Sequence, residues 1–356
     1  MKRLLHIFYH SHHHNRPVYD MFQKFSEYGE FTSDYVYFDR DGNFPEQVFL
    51  KNKKARYFET NGEMLPWLRK VYKNYEILVF HGLFNVTLWD FFATEPEIAG
   101  RSAWVVFGGE IYEGLANPSV ERLRLMRKTT QNLKYILTFT TQEERIIKEQ
   151  LNRKGKIGRY VYLQNWLKAS KKLDKMAEND SRLSLLKSNE KIALIGNSGT
   201  TSNEHHKILS ALGQNKFEGV LLIPLVYGAT DAYRKEVIDY AKSIFPEKKV
   251  IALCSALLND EYLTLLASID YYFFGHLRQQ AGQHWFAALA SGTPIYGNPE
   301  GASFKHFSSL GFHIGNVFKP DFSETFLALF KRNEITYRKQ FNTQSSYTLW
   351  KQALSL

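Results

Sequence analysis

Short apolar runs alternate with amphipathic polar stretches along most of this chain. The runs at 4–9, 33–38, 76–80, 101–107, 135–139 and 159–163 read as strands. Helices are predicted over 17–28, with Pro17 in the first turn, and over 63–73, 86–92 and 119–129. Another is capped by Thr140 or Thr141 and carries Glu143 and Glu144 in its first turn. A polar, charged stretch at 168–190 interrupts the pattern. It resumes with strands at 192–195, 219–224, 249–254, 269–274 and 294–296. Helices then start near Asn203 and cover 231–244, 259–267, 282–290, 322–330 and 345–356. Strand and helix in steady alternation predict parallel sheets covered on both faces. The expected organisation is an α/β domain at 1–167, a link at 168–190 and a second α/β domain at 191–335. A last helical segment follows at 336–356.

A chain of 356 residues is long enough to divide into two cores, which agrees with that reading. The formal charge is +10, so a polyanion, an anionic lipid surface or a phosphorylated small molecule are the partners to consider. The basic residues recur in short runs such as Arg122 to Lys128. They form no single stripe interleaved with aromatics, which argues against nucleic acid. The one cysteine, Cys254, ends an apolar run and is expected to be buried; it cannot form an internal disulfide. Met1-Lys2-Arg3 leads into a short strand and not into a signal peptide, and no apolar stretch reaches membrane-spanning length. The expected location is the cytoplasm, at a membrane surface.

Ligands of parallel α/β sheets bind at the carboxyl ends of strands, so the loops after each strand hold the candidate chemistry. The most informative is Gly196-Asn197-Ser198-Gly199, which follows the apolar run at 192–195 and leads through Ser202 and Asn203 into a helix. Such a unit offers backbone N–H groups and a helix start to an anion. It lacks the Gly-Lys-Ser/Thr ending of a nucleotide-hydrolysing P-loop. Tyr227 lies in the next strand-end loop. Arg278-Gln279-Gln280 lies in a third, where the Arg278 fork matches two diphosphate oxygens at once. In the first half, His13, His14, Asn15 and Arg16 follow the first strand, and His81 and Asn85 follow the strand at 76–80. The histidine spacing fits no zinc signature, so no metal is expected. Glu110 follows Gly108 and Gly109. A carboxylate in an apolar setting can be tuned to act as a base, and His14 is the second candidate. A diphosphate held in the second domain and a base offered by the first, across a cleft, describe group transfer from an activated sugar.

These motifs resemble, in the same order, the bacterial TDP-4-acetamido-4,6-dideoxy-D-galactose transferases of enterobacterial common antigen synthesis, a glycosyltransferase family 56-like group. The resemblance rests on His13 to Arg16, Phe80 to Asn85 with Thr87-Leu88-Trp89, Gly108 to Tyr112, Gly196 to Gly199 with Ser202 to His205, and Arg278 to Gln280. It implies a GT-B fold of two Rossmann-like domains, with the C-terminal segment 336–356 returning to the first, and an inverting, metal-independent transfer. It also implies a TDP-sugar donor, a polyprenyl-diphosphate-linked acceptor, and peripheral contact with the cytoplasmic face of the inner membrane. Donor binding then falls to Gly196, Asn197, Ser198, Gly199, Ser202, Asn203, Tyr227, Arg278, Gln279 and Gln280. Acceptor binding falls to His13, Asn15, Arg16, His81 and Asn85. The chain departs from the family pattern at Glu110, where the family has an Asp, and at Ala281 to Trp285, where the family run is small and apolar. An O-antigen, capsule or lipooligosaccharide transferase using another nucleotide sugar is the nearest alternative. A sugar-nucleotide epimerase and a non-enzymatic polyanion-binding module are the others. For membrane contact, the basic segment 120–134 is expected to present Leu123, Leu125 and Met126 to lipid.

Overall fold

The computed structural model describes residues 2–9, 15–38, 55–163, 183, 186, 190–257 and 259–356, without the side chains of Arg16, Pro17, Asn259 and Asp260. The link expected at 168–190 lies outside the described residues except for Leu183, Leu186 and Glu190. The chain forms two compact units, one of residues 1–164 with 341–356 and one of residues 165–340.

The first unit holds a seven-stranded parallel sheet. Its strands are β1 (Lys2–Tyr9), β2 (Phe31–Phe38), β3 (Ala55–Phe58), β4 (Ile77–His81), β5 (Ser102–Val105), β6 (Tyr135–Thr138) and β7 (Ile157–Arg159). They lie in the order β3-β2-β1-β4-β5-β6-β7. Chain direction across the sheet therefore reverses between β1 and β4. The helices are α1 (Asn15–Ser26), α2 (Asn61–Val71), α3 (Val86–Thr94), α4 (Pro96–Ala99), α5 (Gly109–Ala116), α6 (Val120–Asn132) and α7 (Thr141–Glu149). β4 is buried along its whole length, as a strand covered on both faces must be. α7 opens with a capping box between Thr140 and Glu143.

The second unit repeats the plan with β8 (Ile192–Ile195), β9 (Val220–Pro224), β10 (Val250–Leu253), β11 (Tyr271–Phe274), β12 (Ile295–Gly297) and β13 (Gly315–Asn316). Their order, β10-β9-β8-β11-β12-β13, is parallel throughout and reverses between β8 and β11. Its helices are α8 (His205–Gln214), α9 (Asp231–Ile244), α10 (Asn259–Ala267), α11 (Gly282–Ser291), α12 (Ala302–Ser309) and α13 (Glu324–Gln340). The last helix, α14 (Thr343–Leu354), packs on α1 and β7 of the first unit. There Trp350 Nε1 donates to the Val161 carbonyl at 2.9 Å, and its ring meets Phe22 with centroids 5.0 Å apart.

Four expectations are corrected. Cys254 is exposed, because β10 ends at Leu253 and the chain turns outward there. The strand expected at 159–163 is β7, which ends at Arg159. The helix α5 was not expected after Gly108-Gly109; Gly108 takes φ +98° and lets the helix start directly from the strand-end loop. Segment 120–134 is the helix α6, but Met126 is buried, and Leu123 and Leu125 pack against the core of the first unit. Its apolar side faces protein, and the exposed side carries Arg124, Lys128 and, at the start, Val120, 87% exposed. Among the described residues no helix is long and apolar enough to cross a membrane.

Candidate active site

In the second unit, β8 delivers the chain to Gly196 at φ +71°. A Cβ there would come within 2.6 Å of Asn203 Oδ1 and 2.9 Å of His205 Nε2, so only glycine fits. The loop is then closed by its own side chains. Asn203, buried at the end of a 3-10 turn (Thr201–Asn203), accepts from the Asn197 N–H at 2.8 Å through Oδ1. Its Nδ2 donates to Ser198 Oγ at 3.0 Å and Thr200 Oγ1 at 2.9 Å. The Gly199 N–H donates to the Tyr227 carbonyl at 2.9 Å, and Asn197 Nδ2 donates to the Tyr227 hydroxyl at 2.8 Å. The Tyr227 residue is still 59% exposed.

The loop after β11 meets this one across the point where the sheet reverses. His276 Nε2 lies 2.7 Å from Asn203 Oδ1, an acceptor, so that nitrogen carries the hydrogen. Gln280 Nε2 donates to Asn197 Oδ1 at 3.0 Å, and Gln280 Oε1 accepts from Ser202 Oγ at 2.9 Å and Arg278 Nε at 3.2 Å. Of the donor-side residues read from the sequence, Gln279 alone lies outside this arrangement. Thr200 and His276 belong to it and were not singled out, although both stand inside the loops that were. Burial holds His276 far below the usual imidazole range, at about 3, with a smaller push from Arg278. Arg278 therefore supplies the positive charge and His276 a neutral donor. Neither α8 nor α11 has a side chain capping its N-terminus, where residues Glu204 and Ala281 take left-handed backbone. Two helix starts without a side-chain cap, and one guanidinium, flank the reversal point of the sheet. That is the chemistry of an anion site.

In the first unit the reading is more mixed. His13 and His14 lie outside the described residues, as does the side chain of Arg16. Asn15 is buried and donates from Nδ2 to the Tyr9 carbonyl at 2.8 Å, which ties the start of α1 to the end of β1. Asn85 caps α3, accepting from the Thr87 N–H at 2.9 Å. His81 is buried with both ring nitrogens engaged. Its Nε2 lies 3.0 Å from His6 Nδ1, and its Nδ1 lies 2.6 Å from the Tyr162 hydroxyl. It presents its polarity through Tyr162. Glu110, 4% exposed, sits in the first turn of α5. Its Oε1 accepts from Trp104 Nε1 at 3.1 Å and from the Phe107 N–H at 2.9 Å. Its Oε2 has no partner among the described residues. Burial raises its pKa to about 6, against the pull of those hydrogen bonds.

A second buried carboxyl, unsuspected in the sequence, stands in the equivalent place after the neighbouring strand. Glu143 Oε2 accepts from the Phe139 N–H at 3.1 Å and the Thr140 N–H at 2.8 Å, and Oε1 is unpartnered among the described residues. Burial, with a contribution from the Glu110 charge, lifts it to about 7.

The family described as 4-alpha-L-fucosyltransferase, glycosyl transferase group 56, matches residues 1–286. The chain belongs to glycosyltransferase group 56. The structure of this group 56 enzyme is similar to a solved glycosyltransferase from Rickettsia africae ESF-5 (TM-score 0.72, 12% identity, 99% of this chain and 98% of that one). It is also similar to Anabaena HepE, solved with UDP and glucose (TM-score 0.69, 12% identity, 100% of both chains). WaaG, a glycosyltransferase of lipopolysaccharide biosynthesis, is a further match (TM-score 0.59, 11% identity, 100% of this chain and 99% of that one). The fold of this group 56 chain is thus GT-B. Among its described residues no three His, Cys, Asp or Glu side chains gather as a metal site would require.

Proposed function

We propose that this glycosyltransferase moves a 4-acetamido-4,6-dideoxygalactose-like sugar from a TDP-sugar to a polyprenyl-diphosphate-linked glycan, with inversion and without metal. The observation that carries the reading is the second unit's joined pair of loops, with two uncapped helix starts beside Arg278. These groups suit a departing nucleoside diphosphate, whose growing charge they meet with N–H dipoles and a guanidinium. The family description names fucosyl transfer, and the proposed sugar is likewise a 6-deoxyhexose. In the step, the acceptor oxygen attacks the anomeric carbon, the bond to the diphosphate oxygen breaks, and the acceptor's proton passes to the Glu110 carboxylate. Gly196, Ser198, Gly199, Ser202, Asn203 and Gln280 shape the donor side, and the Tyr227 ring is the surface for the base. Contact with the cytoplasmic face of an anionic membrane is assigned to Arg124, Lys128 and their neighbours on α6, by charge and not by an inserted apolar face.

A UDP-sugar is the second reading, because the similar HepE was solved with UDP. A thermal-shift panel of TDP, UDP, GDP and CMP separates the two; a larger shift with UDP than with TDP overturns the TDP assignment. Transfer is then measured to a farnesyl-diphosphate-linked disaccharide. Donor turnover that needs no acceptor would instead indicate an epimerase.

Two variants test the roles. Glu110→Gln should lower kcat about 100-fold while leaving nucleotide binding intact. In the native enzyme, activity should fall as pH drops through about 6, where Glu110 takes up its proton. An unchanged kcat in this variant removes Glu110 as the base. Arg278→Ala should weaken TDP binding by about tenfold or more, since it deletes a charge-assisted contact. Equal affinity in wild type and variant would move the diphosphate elsewhere.

A further inference from the structure

The core of the first unit contains a line of polar side chains that the transfer step above does not use. Ser33 on β2, His6 on β1 and His81 at the end of β4 lie on one face of the sheet, on three adjacent strands. All three are buried. His6 Nε2 lies 3.3 Å from Ser33 Oγ, its Nδ1 lies 3.0 Å from His81 Nε2, and His81 Nδ1 lies 2.6 Å from the Tyr162 hydroxyl. Phe22 of α1 covers His6 with ring centroids 4.1 Å apart, and Trp350 of α14 lies 6.3 Å from His81. Apolar residues would fill this space at less cost, since buried polar groups must all find partners. The one member whose residue is not fully buried is Tyr162, just past the carboxyl end of β7.

We propose that Tyr162 anchors the acceptor sugar by a hydrogen bond to one of its hydroxyls, and that the Ser33–His6–His81 chain holds the Tyr162 oxygen in position. This rests on the glycosyl-transfer reading. Only one hydrogen can lie between the two imidazoles, so their tautomers are tied. Either Tyr162 donates to His81, which donates to His6, which donates to Ser33, or every donor is reversed. In either order the phenol oxygen is held at a fixed place, so there is less freedom to lose on binding. The chain orients and does not store charge: burial holds His6 at about 3 and His81 well below the usual range, and it pushes the Tyr162 phenol well up. A neutral anchor is therefore compatible with a separate base, and Glu110 is close enough for its charge to add to the rise at Tyr162. The surroundings suit a pyranose. The Phe107 ring meets Tyr162 edge-on at 5.9 Å, and Phe84, 43% exposed, lies 6.0 Å from Phe107. Rings so placed can pack against the C–H face of a sugar while a hydroxyl binds beside them.

The test is Tyr162→Phe, which keeps the ring on Trp350 and removes only the hydroxyl. With the farnesyl-diphosphate-linked disaccharide as probe, its KM should rise about tenfold, with kcat and the donor KM within twofold of wild type. His81→Phe should raise the acceptor KM similarly, and the double variant should be no worse than either single one, because both remove one device. His81→Asn, which restores an amide where Nδ1 stood, should recover part of the loss. Wild-type acceptor KM in Tyr162→Phe overturns the proposal while the transfer reading stands. An acceptor KM in the double variant equal to the product of the two losses overturns the positioning role of His81. Wild-type enzyme that transfers nothing to the probe overturns the transfer reading, and this one with it.

Discussion

Lowering the pH from 7 to 5 should weaken the second unit more than the first. Three histidines of the second unit are buried in the neutral form, His276 at about 3 and His205 and His284 at about 4, chiefly by desolvation. A histidine whose folded pKa is lowered contributes fully above its unfolded value of about 6.5, and its contribution is lost as pH falls. From pH 7 to 5 each costs about 2 kcal/mol, or about 6 kcal/mol for the three, against a typical domain stability of about 5–15 kcal/mol. The first unit has two such histidines, His6 and His81, which act in the same direction. It also has Glu110 at about 6 and Glu143 at about 7, and these have the opposite sign. A carboxyl raised by burial binds its proton more readily when folded, so acid stabilises it. The two return about 3 kcal/mol over the same interval, which offsets much of what the histidines of the first unit lose. Hydrogen exchange followed by mass spectrometry from pH 7 to 4.5 should show β8 and β11 losing protection before β1 and β4. Earlier loss in the first unit would refute this.

Asn203→Ala should abolish donor binding and lower the stability of the second unit together. The side chain has no exposed surface and serves both loops. Its loss leaves the Asn197 N–H and the His276 Nε2–H without an acceptor and removes the donor to Ser198 and Thr200. Buried polar groups left unpaired cost about 1–3 kcal/mol each, so a loss of about 2–4 kcal/mol is expected. Without the pin the loops after β8 and β11 lose their register, and misplacement by an ångström alone can cost about 100-fold in rate. Transfer should fall about 1,000-fold or more. Asn203→Asp separates the two effects. It keeps an acceptor for Asn197 and His276, so most of the stability should survive. It also places a negative charge where a diphosphate is expected, so binding should still fail. A variant pair that retains nucleotide-induced thermal shifts would show that the pinned loops are not the donor site.

The donor side was legible because its information is local. The run at 192–195, the glycines after it and the polar residues after β11 all sit where a strand ends, and strand ends are visible from apolar patterning alone. The helices α9 (Asp231–Ile244) and α10 (Asn259–Ala267) fall on their expected ranges for the same reason. The acceptor side was less legible because burial of a polar residue depends on partners far along the chain. His81 looked like a loop residue facing a ligand, yet His6 and Tyr162, distant in sequence, take both its nitrogens. His6 itself drew no attention inside an apolar strand. Glu143 was recognised as a helix-start acid, but nothing local says that it is fully buried. Short elements escaped for a different reason. β3 has four residues and β13 two, too few for any period to show.

The placement of α14 has a consequence for how the protein is made. β1, near the start, and α14, beyond residue 340, belong to one core, so the whole second unit is threaded into the first as an insertion. On the ribosome, residues 165–340 have all their packing partners as soon as they emerge. The earlier residues must wait, with the sheet flank near Phe22 and Val161 uncovered, until Trp350 arrives. The order of synthesis and the order of completion are thus opposed: the half begun first is sealed last, and its exposed aromatic flank is the natural client of a chaperone during that interval.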